Sequence, residues 1–352
     1  MKWNDDVYDV ADQVFSERGS AVSETPHGDA ALWQVLLDLG WPYVSIDENA
    51  GGVGGDLMNL AEIVRASGRH NALVPLAETS SAAWVFAHGG GSVADLGSAA
   101  TVLFGDRITW TTASSGVVVN GSINRMAWAG VVPTLLLVRA DSGTSSIGVI
   151  RPAEVKGLSI TQGTNLAGEP CADLKFDSVR VANDELFDVP LTVSQISDRN
   201  GILRSAAILG AVERAVEHTA QHVATRRQFG RPLVKLQAVQ HLLASIICER
   251  DLLGSAVQLA LATGGAPGAT AAASATAGRV ANRVAAVAHQ LHGAIGITQE
   301  HDLHLSTSRL TAWADSPRSQ RSWEQRVGEL AVAPDDQALW ELMTNESELS
   351  TR

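Results

Sequence analysis

The chain has 352 residues, of which 45% are hydrophobic and 18% charged, so it carries ample apolar surface for two or three packed units and lies far from the disordered class. A formal net charge of -12, with Lys2, Lys156, Lys175 and Lys235 as its lysines, excludes a phosphate-neutralising nucleic-acid surface. Cys171 and Cys248 are too few for a disulfide framework, the N-terminus opens acidic rather than basic, and no run of about 18 apolar residues occurs. These features predict a cytoplasmic chain with no membrane span.

The first hundred residues read as helices broken by glycine. Val7, Val10, Val14 and Phe15 recur at helical spacing, as do Ala31, Leu32, Val35, Leu36 and Leu39 before Gly40 and Pro42 end the run. Glu48 to Asp56 holds four glycines and leads into a helix expected over about 57–67; it lacks the Gly-Lys-Ser/Thr ending of a phosphate loop.

Between about 101 and 190 the pattern becomes short alternating runs: 101–104, 116–119, 134–138, 147–150 and 172–176. Turn residues such as Asn120-Gly121 and Asp141-Ser142-Gly143 separate them. The pattern predicts a small antiparallel β domain. From Asp198 the helical period returns: Ile202, Leu209, Val212 and Val216 mark one face, and Leu236 to Leu261 a second helix that ends at Thr263-Gly264-Gly265. A third runs from about 269 through Val280, Val284, Val287 and Leu291. Long amphipathic helices with short breaks predict an up-down bundle. The expected organisation is α+β: helical 1–100, β 101–190, helical bundle 191–332 and a polar, acidic tail 333–352.

Three segments of the bundle carry side chains that a plain structural helix does not need. Thr225-Arg226-Arg227-Gln228-Phe229-Gly230-Arg231-Pro232 has arginines where a helix dipole ends and Gly then Pro to stop it, which a helix C-terminus alone would also explain. Gln237 and Gln240 open the next helix, where exposed amides are common. Gln290-Leu291-His292-Gly293-Ala294-Ile295-Gly296 is a helix end running into a glycine-spaced loop whose backbone N–H groups can meet an anion, or simply a loop with two turn glycines.

Taken together, Arg226-x-x-Phe229-Gly230, Gln237, Gln290 to Ala294 and Arg309 resemble the C-terminal domain of the flavin-dependent acyl-CoA dehydrogenases, and Glu48-x-x-Gly-Gly-x-Gly with the helix, β, helix order agrees. The resemblance extends to about residue 330. It implies a helical domain, a small β domain and a four-helix bundle, assembly as dimers or dimers of dimers, FAD as cofactor, an acyl-CoA substrate and a flavoprotein electron acceptor. It also implies that Arg226 faces the pyrophosphate of a neighbouring subunit's FAD, Gln237 its adenosine side, and Phe229, Gln290, His292, Gly293 and Ala294 the same cofactor. A guanidinium suits phosphate oxygens because it offers a planar fork of donors.

Two departures from the family stand out. Its β domain opens with a Thr-Glu-Pro-x-x-Gly-Ser-Asp-like stretch over the flavin ring, and the corresponding Thr101 to Thr112 lacks it. The family's proton-abstracting glutamate lies shortly after the arginine matched by Arg309, where Arg318 stands nearest, or ten residues before the glycine matched by Gly210, where Asn200 stands. Neither is a general base. Asp198 and Asp315 are nearby carboxylates, but displacement by one or two residues on a helix turns a side chain away. The resemblance therefore implies the shorter, non-catalytic subunit of a bacterial α2β2 enzyme for bulky, sterol-like acyl-CoA thioesters, completing a homologous partner's FAD site. A homo-oligomer with a relocated carboxylate base and a non-redox acyl-CoA-binding or scaffold protein are the alternatives.

Other constellations are weaker. His218 and His222 stand at i, i+4 as on a zinc helix, but no third ligand is evident and no metal is expected; His301 and His304 read as the polar entry of a helix. Trp313 and Trp323 straddle the region where the family closes its acyl pocket, and core packing accounts for them equally.

Overall fold

The computed structural model describes residues 5–18, 28–105, 107–141, 143–298, 300–315 and 318–332. The acidic tail expected from 333 lies outside them. The described residues within 1–21, 61–72 and 201–352 form one compact unit, and those within 22–60 and 73–200 the other.

The second unit is built on two four-stranded sheets. One has the order β1 (Ala100–Phe104), β4 (Thr134–Ala140), β5 (Ser145–Ile150), β8 (Leu186–Val189); the other has β2 (Ile108–Ala113), β3 (Gly116–Ala127), β7 (Pro170–Ala182), β6 (Leu158–Thr164). The antiparallel expectation needs correcting at one pair: β1 runs parallel to β4, with Thr101 opposite Leu135. A parallel neighbour must be reached by a crossover, and the β2–β3 hairpin lies within that connection. The burial of β7 alternates strictly along Cys171 to Val179 only until Asp177, as expected of a strand with one wet face, whereas β5 is buried throughout. Leu103, Val119, Leu135, Leu137, Ile150, Leu174 and Phe176 form the core between the sheets. A second core joins Ala82, Ala83 and Val85 of helix α4 (Leu76–His88) to Val102, Leu136 and Ile147. Helix α2 (Ala30–Asp38) begins where Asp29 accepts a hydrogen bond from the Leu32 N–H at 2.9 Å.

The first unit is helical. It contains α1 (Asp5–Arg18), the later part of α3 (Leu57–Arg69), most of α5 (Val193–Thr225), and α6 (Gln237–Ala262), α7 (Pro267–His292), α8 (Leu303–Trp313) and α9 (Gln320–Ala331). The Gly/Pro break between α6 and α7 reverses the chain, and α7 then packs against α6, α8 and α9. Its buried stripe is small: Ala271, Ala273, Ala277, Gly278, Ala281 and Ala285 let neighbouring helices come close. Helix α3 is locked to α5 by charge, since Arg65 Nη2 meets Glu213 Oε1 at 2.7 Å and Arg69 Nη2 meets Glu217 Oε2 at 2.8 Å. Arg309 is buried on α8 and donates to the Asn71 carbonyl and, at 3.1 Å, to the Leu305 carbonyl, so this family-matched arginine fastens α8 to the turn after α3.

The expected helices over 7–15, 31–39, 57–67, 236–261 and from 269 are present, each lengthened or shifted by a few residues. Helix α4 lies within the expected helical region but has no bounds in the sequence pattern: it mixes Ala, Ser and Thr with large apolar residues and so shows little helical periodicity, and most of it is buried. Strands β2, β6 and β8 are half-exposed and rich in Thr and Gln or short, which weakens the alternation that marks a strand.

Candidate functional site

Helix α5 ends at Thr225, and a two-residue hairpin follows in which Arg227-Gln228 pairs antiparallel with Arg231-Pro232. Its turn residues, Phe229 and Gly230, both have positive φ, 51° and 75°, as a type I′ turn requires. Glycine adopts that conformation freely, but phenylalanine does so at a cost, and here its ring is 84% exposed. The Leu233 N–H donates to the Arg226 carbonyl at 2.9 Å, which holds the hairpin against the helix end and leaves the Arg226 side chain exposed. Gln237, the first residue of α6, is also exposed. The arginine segment is therefore more than a helix stop. It presents a guanidinium, a phenyl ring and an amide outward from consecutive elements of one unit.

At the end of α7, Gln290, Gly293 and Ala294 are exposed, and Gly293 takes φ +65° with open space where a Cβ would stand. Backbone there is accessible at close range. His292 behaves differently: its imidazole is buried, with Nδ1 2.8 Å from the Ala288 carbonyl, and burial pushes its pKa down to about 4. Of the expected cofactor residues, His292 thus turns its side chain inward and has only its backbone to offer outward. Ile295 and Ile297, 40% and 76% exposed, continue the outward face.

The interior of the helical unit contrasts with this edge. Trp323 of α9 lies directly over Gly201 of α5, where an added Cβ would stand 2.6 Å from the indole ring, so only glycine fits. Arg318 lies over the Trp323 ring at 5.0 Å and Arg204 over the Trp313 ring at 5.1 Å. With Ser205, Ile208, Ser274 and Ala277 they leave a cavity of about 20 Å³, enough for about one water. Trp313 and Trp323 are both buried, so their role here is core packing rather than the wall of an open pocket.

The base positions hold no carboxylate. Asn200 is half-buried on α5, next in sequence to buried Arg199, whose Nη2 donates to Ser45 Oγ at 2.5 Å and whose guanidinium stacks on Trp84 at 4.8 Å. Burial pulls the pKa of Arg199 down to about 9. Of the two neighbouring carboxylates, Asp198 is buried in α5 and Asp315 is exposed after α8. Sequence reasoning missed Arg199, because nothing in its local pattern distinguishes a buried arginine from the usual exposed one.

The model of the acyl-CoA dehydrogenase C-terminal domain matches residues 198–317. Among curated relatives, the acyl-CoA dehydrogenase IpdE2 of Mycobacterium tuberculosis is 30% identical over 307 residues, 85% of this chain and 86% of the relative. The solved structure of the Tcur3481-Tcur3483 steroid ACAD superposes with a TM-score of 0.83 at 24% identity, covering 93% of this chain and 97% of that one. The ChsE4-ChsE5 complex from Mycobacterium tuberculosis gives 0.83 at 20% identity, covering 95% and 98%. At those identities the two structures establish the fold, which is the expected α+β architecture with its C-terminal helical bundle. The match to the 30%-identical curated relative, over most of both chains, leads to one conclusion: the chain belongs to the acyl-CoA dehydrogenase family of oxidoreductases, which act on CH–CH bonds.

Proposed function

We propose that this chain is the partner-dependent subunit of an FAD-dependent acyl-CoA dehydrogenase, lending Arg226, Phe229, Gln237, Gln290 and the backbone of His292, Gly293 and Ala294 to the FAD site of a homologous chain. The observation that carries the reading is the contrast within the helical unit. The exposed edge keeps donors suited to a dinucleotide, whereas the interior has Arg318 rather than a carboxylate and no more than about 20 Å³ of space beside Trp313 and Trp323. The donor set fits FAD chemically: a guanidinium for pyrophosphate, amides for the adenosine side, and unobstructed backbone at Gly293.

Bound there, FAD would supply the acceptor for the β-hydrogen as hydride, and a carboxylate would take the α-proton. In this reading the carboxylate belongs to the partner, and the residues of this chain bind and orient. Arg226 neutralises charge, Gln237 and Gln290 hold register, and Phe229 covers an apolar face from its strained turn. The sterol-like acyl class is supported by the Tcur3481-Tcur3483 relative being a steroid ACAD, and a two-chain assembly by ChsE4-ChsE5 being a complex. Net charge and composition favour a cytoplasmic location, a flavoprotein takes the electrons, and no helix among the described residues is long and apolar enough to cross a membrane.

The test is flavin content. Purified alone, the chain should carry little FAD; co-expressed with a homologous full-length acyl-CoA dehydrogenase chain, it should give yellow protein with about one flavin per heterodimer by absorbance, as a site shared across the interface requires. Stoichiometric FAD in the isolated chain would refute the reading.

A further inference from the structure

Four histidines that are scattered in sequence meet in the helical unit. His218 and His222 lie one turn apart on α5, His292 closes α7, and His301 stands before α8. The His222 and His292 rings stack at 4.3 Å between centroids, and His301 sits edge-on to His292 at 4.7 Å, to His218 at 5.7 Å and to His222 at 6.1 Å. One ligating nitrogen from each of His222, His292 and His301 lies within 4.8 Å of the others. From this arrangement the geometry points to a divalent transition-metal site, with His222, His292 and His301 as ligands, that clips the ends of α5 and α7 to the start of α8.

An all-imidazole donor set suits zinc or its first-row neighbours and is a poor match for calcium or magnesium, which require oxygen ligands. His292 is the anchor. It is 6% exposed, its Nδ1 is committed to the Ala288 carbonyl at 2.8 Å, and its Nε2 is buried with no hydrogen-bond partner among the described residues. That is the arrangement of a metal-binding histidine, in which a carbonyl takes the Nδ1–H and leaves the Nε2 lone pair for the ion.

Packing alone would bury histidines, but it would ordinarily satisfy them. Here Nε2 of His292 and Nδ1 of His218 are both buried with no hydrogen-bond partner among the described residues, so each has lost water without gaining a replacement. Coordination makes good that loss at His292 and places His218 next to the ion as a fourth ligand or a second-layer contact. His301 must adjust. Its Nδ1 accepts the Leu303 N–H at 3.1 Å, so binding through Nε2 moves a proton to Nδ1 and gives up that short-range bond. Zn–N bonds near 2.1 Å set nitrogen separations of about 3.4 Å, against the 4.8 Å within which these three lie, so the imidazoles would have to turn inward on binding. The site lies immediately inside Gly293 and Ala294 and one turn from Arg226, so a bound ion would also stiffen the proposed cofactor edge.

The experiment uses the full chain, stripped with chelator, titrated with zinc sulfate by calorimetry, and analysed for metal by mass spectrometry after dialysis. His222→Gln and His301→Gln test the ligands, and His241→Gln, on an exposed histidine of α6, is the control. Native and control proteins should hold one zinc, with a matching rise in thermal midpoint. Each ligand variant should lose affinity by at least about 100-fold, the upper range for disturbing even an outer-layer partner of a metal. Cobalt substitution should give the visible bands of a low-coordinate nitrogen site. If native protein shows no saturable zinc binding, or if binding survives in both ligand variants, the site does not exist. Flavin content is not read in this experiment, so failure of the metal site leaves the subunit reading standing, and the reverse.

Discussion

The helical unit presents two surfaces of opposite character within a few turns of each other. Its edge, made of the Arg226 to Gly230 hairpin, Gln237 and the Gly293-Ala294 backbone, is open, polar and conformationally costly at Phe229. Its interior between α5, α8 and α9 is filled, with two tryptophans each under an arginine and a glycine cut to fit one of them. In an enzyme that carries out its own dehydrogenation both should be accessible, because substrate and cofactor must meet. An edge kept open beside an interior packed shut is what a chain needs if it serves a site whose substrate lies in another chain.

The sharpest way to break this contrast is to empty the interior. Trp323→Ala should destabilise the chain by about 3–5 kcal/mol, as for other buried aromatic truncations, with a lowered denaturant midpoint. The flavin bound per complex should not change. If the variant instead gains acyl-CoA turnover on its own, the tryptophan was blocking a working site and the interior is not merely structural.

The edge is tested by Arg226→Ala, which should weaken FAD retention in the two-chain complex by about 2–4 kcal/mol, the scale of a lost charge-assisted contact at an interface, while circular dichroism stays native. Gln237→Ala should cost less, because a neutral amide contributes about 1 kcal/mol. Unchanged flavin in the arginine variant would reduce Arg226 to a helix-end charge.

Acid should act on the interior before the edge. His218 and His292 are both held at about 4 by burial, against an ordinary 6.5. Between those values the unfolded chain binds protons that the folded chain refuses. Stability is therefore complete above about pH 6.5 and falls as the pH drops towards 4, by up to about 1.4 kcal/mol per ring per pH unit. Urea titrations of chelator-treated protein at pH 7 and pH 5 measure the slope, and His218→Gln should flatten it. A pH-independent midpoint over that range would show that the rings are not held neutral by the fold.

The smallest effect is expected at the spare carboxylates. Asp198→Asn and Asp315→Asn should each leave kcat of the complex within a few-fold in dye-coupled acyl-CoA oxidation, against the roughly 10²–10⁴-fold loss expected for a true base. Loss of turnover in either variant, with flavin still bound, would mean that this chain has a relocated base.

Much of this was determined by the sequence alone. Periodicity placed α1, α2, α3, α6 and α7, because each sets an apolar stripe against a polar face, and local residue chemistry marked the Arg226 to Gly230 turn, Gln237 and the Gln290 to Ala294 segment. The absence of a carboxylate at Asn200 and Arg318 needed no coordinates either, since a missing functional group can be read directly. Tertiary structure decided the rest. That Trp313 and Trp323 fill the interior rather than line it depends on which partner each ring finds, and that partner for Trp323 is Gly201, more than a hundred positions away. The parallel β1–β4 pair depends on a crossover that no local pattern encodes. The histidines show the limit most clearly: at i, i+4 His218 and His222 announce only half a site, and His292 and His301 join them because α7 and α8 return to the end of α5. Helical spacing fixes neighbours within one element, while contacts between elements are set by the packing of the whole unit.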